Sequence, residues 1–127
     1  MWQYNQTEEP PAPFIDLFLR HPEQLDQRLP ITAKVDAGAD ISALPEQAIA
    51  QLNLPITGKL LVQVYEGRSQ EVTTYAVHIE IASARFRVYE AVATHEPHAL
   101  LGRDILNYFY LRLNGPELTL DASVRPL

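Results

Sequence analysis

The sequence predicts a mostly β, barrel-like domain that also contains one or two short helices. The chain has 127 residues, enough for one core, and 46% of them are hydrophobic, which is typical of a globular domain. The apolar residues fall in short runs that turn-forming residues separate, and several runs alternate with polar residues as half-buried strands do. Only two segments favour a helix, so we expect helices to be minor elements.

The first third of the chain is predicted to form a tail, a hairpin and a helix. Residues 1–13 are rich in proline, which favours extended chain. Apolar, β-forming residues predict strands over 14–19 and 29–35, and these strands could pair across a polar loop as a hairpin. Pro45 suits a first helical position, and the apolar spacing that follows predicts a helix over 45–52.

The rest of the chain is predicted to be mostly hairpins. Alternating apolar residues predict a strand at Leu60, Val62 and Val64 and a second one over 77–81, with the hairpin tip near Gly67. The remaining predicted elements are a strand over 86–93, a helical turn that ends near 108, and a hairpin over 111–120 that turns at Asn114 and Gly115.

Composition and charge exclude several classes of function. The formal charge is −6, which argues against binding to a phosphate backbone. The chain has no cysteine, so it contains no disulfide, thiolate metal site or cysteine nucleophile, and a reducing compartment fits. No segment approaches the roughly 20 apolar residues of a membrane span. We therefore expect a cytoplasmic protein that binds neither nucleic acid nor membrane.

A short loop after the second predicted strand is the first candidate for chemistry. It reads Asp36, Ala37, Gly38, Ala39 and Asp40. Two carboxylates and three small residues directly after an apolar strand indicate a carboxylate displayed on a tight loop, and the glycine would let a substrate or a second chain approach closely. The alternative interpretation is that Asp36 only stabilises a turn, as aspartate commonly does after strands.

This loop and a later segment together resemble the signature of the retropepsin-like aspartic proteases, the single-domain aspartyl proteases of retroviral type. The family has a strand that ends in Asp, Thr or Ser, Gly and Ala, and later an apolar pair followed by Gly. The later segment here reads Leu100, Leu101, Gly102, Arg103 and Asp104. The order of the elements also matches over residues 14–120. The resemblance implies the closed acid-protease fold, with a flap hairpin.

The resemblance implies a homodimeric aspartic endopeptidase that uses no metal or organic cofactor. Only one such loop is present, so two chains must each supply Asp36 to face one water molecule. One carboxylate would act as base and the other as acid, and activity should be highest at acidic to near-neutral pH. An extended peptide or protein substrate would bind as an added strand.

One position departs from the family pattern. Ala37 stands where relatives have Thr or Ser, so it lacks the hydroxyl that braces the two catalytic loops across the dimer. Losing such hydrogen bonds typically costs about 1 kcal/mol each, so the fold should survive. Weakened activity is one outcome, and a catalytically silent domain that binds peptides or dimerises is the alternative.

Further residues are assigned by the same resemblance. Tyr65, Glu66, Gly67, Arg68 and Ser69 would form the flap over a bound peptide, and the alternative is an ordinary exposed turn. Leu101, Gly102 and Arg103 would support the catalytic loop. We expect Arg103 to contact Asp40, with two unrelated surface charges as the alternative. Asp104 is expected to cap a helix.

The histidines and the chain ends complete the predictions. His95 and His98 lie three apart in a loop, but with no clear third ligand we expect no metal site. His78 is expected on the polar face of a strand. We predict an N-terminal extended tail over 1–13, a retropepsin-like domain over 14–120 and a C-terminal tail over 121–127. The ends are candidates for an intersubunit sheet, because related proteases dimerise largely through their ends.

Overall fold

The computed structural model describes residues 1–63 and 65–127. In these residues the chain forms ten strands and two short helices, and a single 3-10 turn covers Tyr65–Gly67. The elements are β1 (Trp2–Gln3), β2 (Phe14–His21), β3 (Gln24–Val35), β4 (Ala43–Pro45), α1 (Glu46–Leu52), β5 (Ile56–Gln63), β6 (Ser69–Ile81), β7 (Ala84–Thr94), β8 (Ala99–Leu101), α2 (Arg103–Leu106), β9 (Tyr110–Asn114) and β10 (Thr119–Ser123).

The main sheet closes into a ring of hydrogen-bonded strands. Its seven strands follow the order β2-β3-β8-β4-β7-β6-β5, and β2 also pairs with β6. This extra pairing joins the two sides of the sheet and leaves β5 as a hairpin partner of β6 outside the ring. The mostly β, closed architecture predicted from the sequence is therefore confirmed.

Strand alternation decides which side chains enter the core. On β2, Ile15, Leu17 and Leu19 are buried, whereas the even-numbered residues between them point outward because successive side chains alternate across a strand. Val77 and Ile79 of β6 are fully buried in the same cluster. At roughly 25 cal/mol per Å² of apolar surface, side chains of this size each contribute about 2 kcal/mol when removed from water.

The β2–β3 hairpin is tighter than the sequence predicts. We expected the second strand to begin at Leu29, but β3 begins at Gln24, and only Pro22 and Glu23 separate the two strands. The pairing shifts register between Arg20 and His21. Residues 24–28 are all exposed, and of these Gln24 and Arg28 have partners on β2. The segment therefore lacks the apolar alternation on which the prediction depended.

The helices are short and lie close to their predicted positions. Helix α1 begins at Glu46, one residue later than predicted, because Pro45 is its N-cap rather than its first residue. It buries Ala48, Ile49 and Leu52 and ends at Asn53, which adopts a left-handed conformation with φ of 50°. Such a residue allows the last backbone carbonyls of the helix to be satisfied as the chain turns away.

The two chain ends pair with each other. Strands β1, β10 and β9 form a separate antiparallel sheet in which Trp2 lies opposite Leu120. Strand β10 runs to Ser123, past the predicted boundary at 120, and the β9–β10 turn occupies residues 115–118. The Glu117 N–H donates to Asn114 Oδ1 at 3.1 Å in this turn. No helix in the described part of the chain is long and apolar enough to cross a membrane.

Candidate active site

The Asp36 loop is fixed where two parallel strands end side by side. Val35 of β3 lies opposite Leu101 of β8, and the next backbone N–H, that of Asp36, donates to the Leu101 carbonyl at 3.0 Å. The ring therefore brings the two sequence motifs together, although they are separated by more than 60 residues.

The Asp36 side chain is half-buried and bound on one side only. The side-chain Oδ1 accepts the N–H of Gly38 at 3.1 Å. The backbone carbonyl of Asp36 accepts the N–H of Ala39, also at 3.1 Å. A Cβ at position 38 would lie 3.3 Å from this Oδ1, so glycine is the residue that fits most easily. The second carboxylate oxygen receives no hydrogen bond from the described residues, so Asp36 both stabilises the turn and keeps one oxygen free.

Arg103 connects the Asp36 loop to the second motif, which begins at Leu100. Its Nη1 donates to the Ala37 carbonyl at 2.6 Å, its backbone N–H donates to the Ala39 carbonyl at 2.9 Å, and its Nη2 contacts Asp40 Oδ1. The predicted contact between Asp40 and Arg103 is present. The Asp40 side chain is 84% exposed and that of Arg103 is 43% exposed, so the pair contributes little to stability and acts mainly on loop geometry.

Gly102 lies where no side chain can fit. A Cβ there would come within 2.7 Å of the Ile41 carbonyl carbon and oxygen and 3.0 Å from the Ala39 oxygen. Leu101 beside it is fully buried. The two segments can therefore approach this closely only because residue 102 is a glycine.

A buried hydroxyl that the sequence analysis did not single out links the same segments. The Ser42 Oγ–H donates to Asp104 Oδ1 at 2.7 Å and accepts the Gly102 N–H at 3.0 Å, and the Ser42 N–H donates to Asp104 Oδ2 at 3.0 Å. The prediction that Asp104 caps a helix is wrong, because the N-cap of α2 is Gly102 and has no side-chain cap. The sequence carries no local signal for this link, because Ser42 and Asp104 are 62 positions apart.

Ala37 is exposed at the tip of the loop. Its carbonyl is held by Arg103, so the backbone position is fixed by the residues around it. Its methyl group offers no hydrogen bond to any neighbouring chain.

The β5–β6 hairpin ends in the 3-10 turn at the predicted tip. Gln63 pairs with Ser69, and residues 66–69 are exposed. Glu66 and Gly67 both have positive φ, 64° and 73°, which glycine tolerates but glutamate resists. Val64, and the side chain of Tyr65, lie outside the described residues.

The histidines are scattered over the structure. His95 Nδ1 lies 2.9 Å from Glu46 Oε1, and His98 stacks edge-on against Phe14. In the described part of the chain no three His, Cys, Asp or Glu side chains are placed to hold a metal ion. His78 is on the outward face of β6 as predicted, but it is only 7% exposed.

Comparisons with known proteins agree with this geometry. The family model described as gag-polyprotein putative aspartyl protease matches residues 24–108, about two thirds of the chain. No curated protein sequence matches the chain significantly.

Solved structures share the fold, among them the following three. A retropepsin-like aspartic protease from Rickettsia conorii has a TM-score of 0.62 and 19% identity over 89% of this chain and 82% of that one. The EIAV protease, bound to an inhibitor, has a TM-score of 0.58 and 21% identity over 82% and 90%. The simian foamy virus (mac) protease has a TM-score of 0.51 and 18% identity over 73% and 92%.

The family match covers both the Asp36 loop and the Leu101–Gly102 segment that supports it, and the structural matches share the fold. The chain is therefore a member of the retropepsin-like aspartic protease family.

Proposed function

We propose that this protein is a homodimeric aspartic endopeptidase in which Asp36 of each protomer supplies half of the catalytic pair. The observation that supports this most directly is the position of Asp36, half-buried at a strand end with one carboxylate oxygen free. One chain has only one such loop, so a second copy must complete the site. A symmetric dimer would place both loops at its two-fold axis.

The chemistry follows from two carboxylates held close together. Like charges at such a distance cannot both be ionised, so the pair shares one proton, as in other aspartic proteases. The ionised carboxylate takes a proton from a water molecule as that water attacks the peptide carbonyl carbon. The protonated carboxyl donates to the developing oxyanion, and a proton then passes to the leaving amine as the C–N bond breaks. Activity is lost when both groups ionise, so it should be highest at acidic to near-neutral pH.

The residues around Asp36 have distinct roles in this proposal. The Gly38 N–H holds the Asp36 carboxylate, and the Ala39 N–H holds the Asp36 backbone carbonyl. Arg103 fixes the loop through the Ala37 carbonyl and Asp40, and we assign Asp40 to the edge of the cleft. The exposed hairpin tip, Glu66 to Ser69 together with Tyr65, acts as a flap over an extended peptide and excludes water. The cysteine-free sequence is the support for a reducing, cytoplasmic location.

Replacing Asp36 with asparagine tests the proposal. We expect kcat/KM for a peptide substrate to fall by about a hundredfold or more, since positioned acid–base groups contribute about 10²–10⁴. Asp16→Asn is the matched control, because it removes the same charge from an exposed position on β2. Sedimentation should detect dimers under assay conditions. Undiminished cleavage by the Asp36 variant, or monomers at every concentration that supports cleavage, would rule the proposal out.

Ala37 favours a second candidate function, a silent domain of the same fold that binds peptides or dimerises. Without the hydroxyl at this exposed position, a dimer lacks one set of hydrogen bonds between its two loops. This candidate predicts that the protein binds extended peptides but shows no pepstatin-sensitive hydrolysis. Robust cleavage by the unmodified chain eliminates it.

Ala37→Thr tests the role of the missing hydroxyl. If that hydroxyl accounts for weak activity or weak association, the variant should cleave peptides faster and dissociate at a lower concentration. Ala50→Thr, at an exposed position on α1, is the matched control, because it makes the same substitution away from the proposed site. If neither activity nor dimer strength changes in Ala37→Thr, the proposed consequence of this position is wrong.

A further inference from the structure

A row of basic residues crosses the outward face of four neighbouring strands. Arg28 on β3 lies directly opposite Arg20 on β2, Arg20 lies opposite His78 on β6, and His78 lies opposite Arg87 on β7. We call these four residues the basic row. The overall formal charge of the chain is −6, so the basic row differs in sign from the molecule as a whole.

The fold supplies little negative charge to this row. Glu80, on the adjacent rung, lies 2.8 Å from Arg20 Nη2 and 3.7 Å from Arg85 Nε. Within the described residues, neither Arg28 nor Arg87 has a carboxylate within 4.0 Å. Arg28 instead lies over the Phe18 ring, 4.3 Å from its centroid, and Arg87 Nη2 lies 3.5 Å from the Pro22 carbonyl.

Several groups of the basic row lack compensating partners. Like charges directly opposite each other on paired strands repel. His78 is only 7% exposed, and burial, followed by the charge of Arg20, lowers its pKa below the ordinary value of 6.5. Its Nδ1 and the Nε of Arg20 are both buried without a hydrogen-bond partner in the described residues. Unpaired charges across strands and buried polar groups without hydrogen bonds are unfavourable for folding, and residues that combine them are characteristic of functional surfaces.

We propose that the basic row is a docking surface for an acidic segment of a partner polypeptide. Arg28 and Arg87 are exposed, and they lie on strands that are three spacings apart along the curved sheet, a path of roughly 14 Å. Residues i and i+4 of an extended peptide are also separated by roughly 14 Å, since each residue adds about 3.4 Å. A peptide that crosses the strands with acidic residues at i and i+4 therefore meets both arginines, and guanidinium groups bind carboxylates with two hydrogen bonds.

A nucleic acid fits this surface less well. Duplex DNA carries one negative charge per roughly 1.7 Å, so it would extend past the row onto a chain that is acidic overall. A short segment with two carboxylates places negative charge only where the arginines lie. Charge complementarity therefore favours the polypeptide.

The surface is independent of the proposed protease activity. Arg28 precedes Asp36 by eight residues along β3 and the loop that follows it, which corresponds to roughly 26 Å of extended chain. Docking can therefore be measured in an Asp36→Asn background, where a probe peptide is not cleaved, and the outcome does not depend on whether the chain is a protease.

The test is fluorescence anisotropy with a labelled seven-residue peptide that has Glu at its second and sixth positions and Thr or Val elsewhere. We expect saturable binding that is weakened about tenfold or more in the double variant Arg28→Gln/Arg87→Gln, because two charge-assisted contacts are removed. Arg125→Glu is the control, since it changes the net charge by the same two units at an exposed position near the C-terminus. It should leave the affinity unchanged. A peptide of the same composition with its two Glu residues adjacent should bind more weakly.

Other results would overturn the inference. These are no binding, equal binding by the two variants or by the two peptides, and tighter binding of a single-stranded oligonucleotide than of the peptide. The double variant should also unfold at close to the same temperature as the parent chain, because relief of the repulsion between Arg28 and Arg20 offsets the loss of the contacts with the Phe18 ring and the Pro22 carbonyl. A clearly lower unfolding temperature would show that the row serves the fold instead.

Discussion

Replacing Ser42 with alanine tests the buried link between the two motif segments. The Ser42 hydroxyl donates to Asp104 and accepts from the Gly102 N–H, and Ser42 is fully buried. Alanine removes the first bond and leaves the Gly102 N–H without a partner in a site that excludes water. The substitution therefore combines a lost hydrogen bond with an unsatisfied donor.

The magnitude follows from these two losses. A hydrogen bond to a charged group contributes about 1.5–3 kcal/mol, and a buried unsatisfied donor costs about 1–3 kcal/mol. The Ser42 backbone N–H still donates to Asp104 Oδ2 at 3.0 Å, which keeps the carboxylate partnered and favours the lower part of the range. We expect the free energy of unfolding to fall by about 3 kcal/mol and Tm to fall by roughly 10 °C.

Urea and thermal unfolding followed by circular dichroism measure this effect. Protein concentration is held constant, because the apparent stability of a dimer depends on it. Ser69→Ala is the control, since Ser69 is exposed and its hydroxyl makes no hydrogen bond within the described residues. It should change the free energy by less than about 0.5 kcal/mol. A loss below about 1 kcal/mol for Ser42→Ala would refute the stabilising role assigned to the hydroxyl.

Two further predictions concern the supporting arginine and the buried histidine. Arg103→Gln should lower peptide cleavage about tenfold while changing the unfolding free energy by less than about 1 kcal/mol, because Arg103 positions the Ala37 carbonyl from an exposed site. His78→Leu should flatten part of the pH dependence of stability. Burial lowers the pKa of folded His78, so below about pH 6.5 the unfolded state binds more protons and the native protein loses stability as pH falls. Urea titrations of both proteins from pH 5 to pH 8 measure the difference.

A specific result would contradict each of these two predictions. Arg125→Gln is the control for Arg103→Gln. If both variants cleave the peptide as fast as the parent chain, the loop does not depend on the Arg103 guanidinium. For the histidine, parallel stability curves in the wild-type chain and the leucine variant would contradict the lowered pKa. The groups that face His78 are Arg20 from β2, Glu80 on β6, and Arg85 and Arg87 from β7.

Much of the fold could be predicted because its signals are local. An apolar run of β-forming residues indicated β2, alternating apolar residues indicated parts of β5 and β6, and the spacing after Pro45 indicated α1. The predicted contact between Asp40 and Arg103 is also present, but it came from family resemblance rather than from a local pattern. The early start of β3 at Gln24 was missed, because a strand exposed on both faces carries no apolar alternation.

The site was predicted only in part. The motifs around Asp36 and Gly102 could be read as residue types in order, whereas the bond between Ser42 and Asp104 joins residues 62 positions apart. No local pattern reports such a pairing. The misassignment of Asp104 as a helix cap has the same cause, since the sequence shows its helical neighbours but not the serine that the ring brings beside it.

By itself the sequence determined most of the longer strands, the short helices and the composition of the loop at Asp36, because backbone preference and side-chain alternation act over a few residues. The short strands β1, β4 and β8 were not predicted. Only the tertiary structure decided that β2 pairs with β6 to close the ring, that the chain ends pair with each other, and that four basic residues align across β3, β2, β6 and β7. Register between distant strands depends on how the whole core packs, and a shift of one residue would turn every one of those side chains to the opposite face.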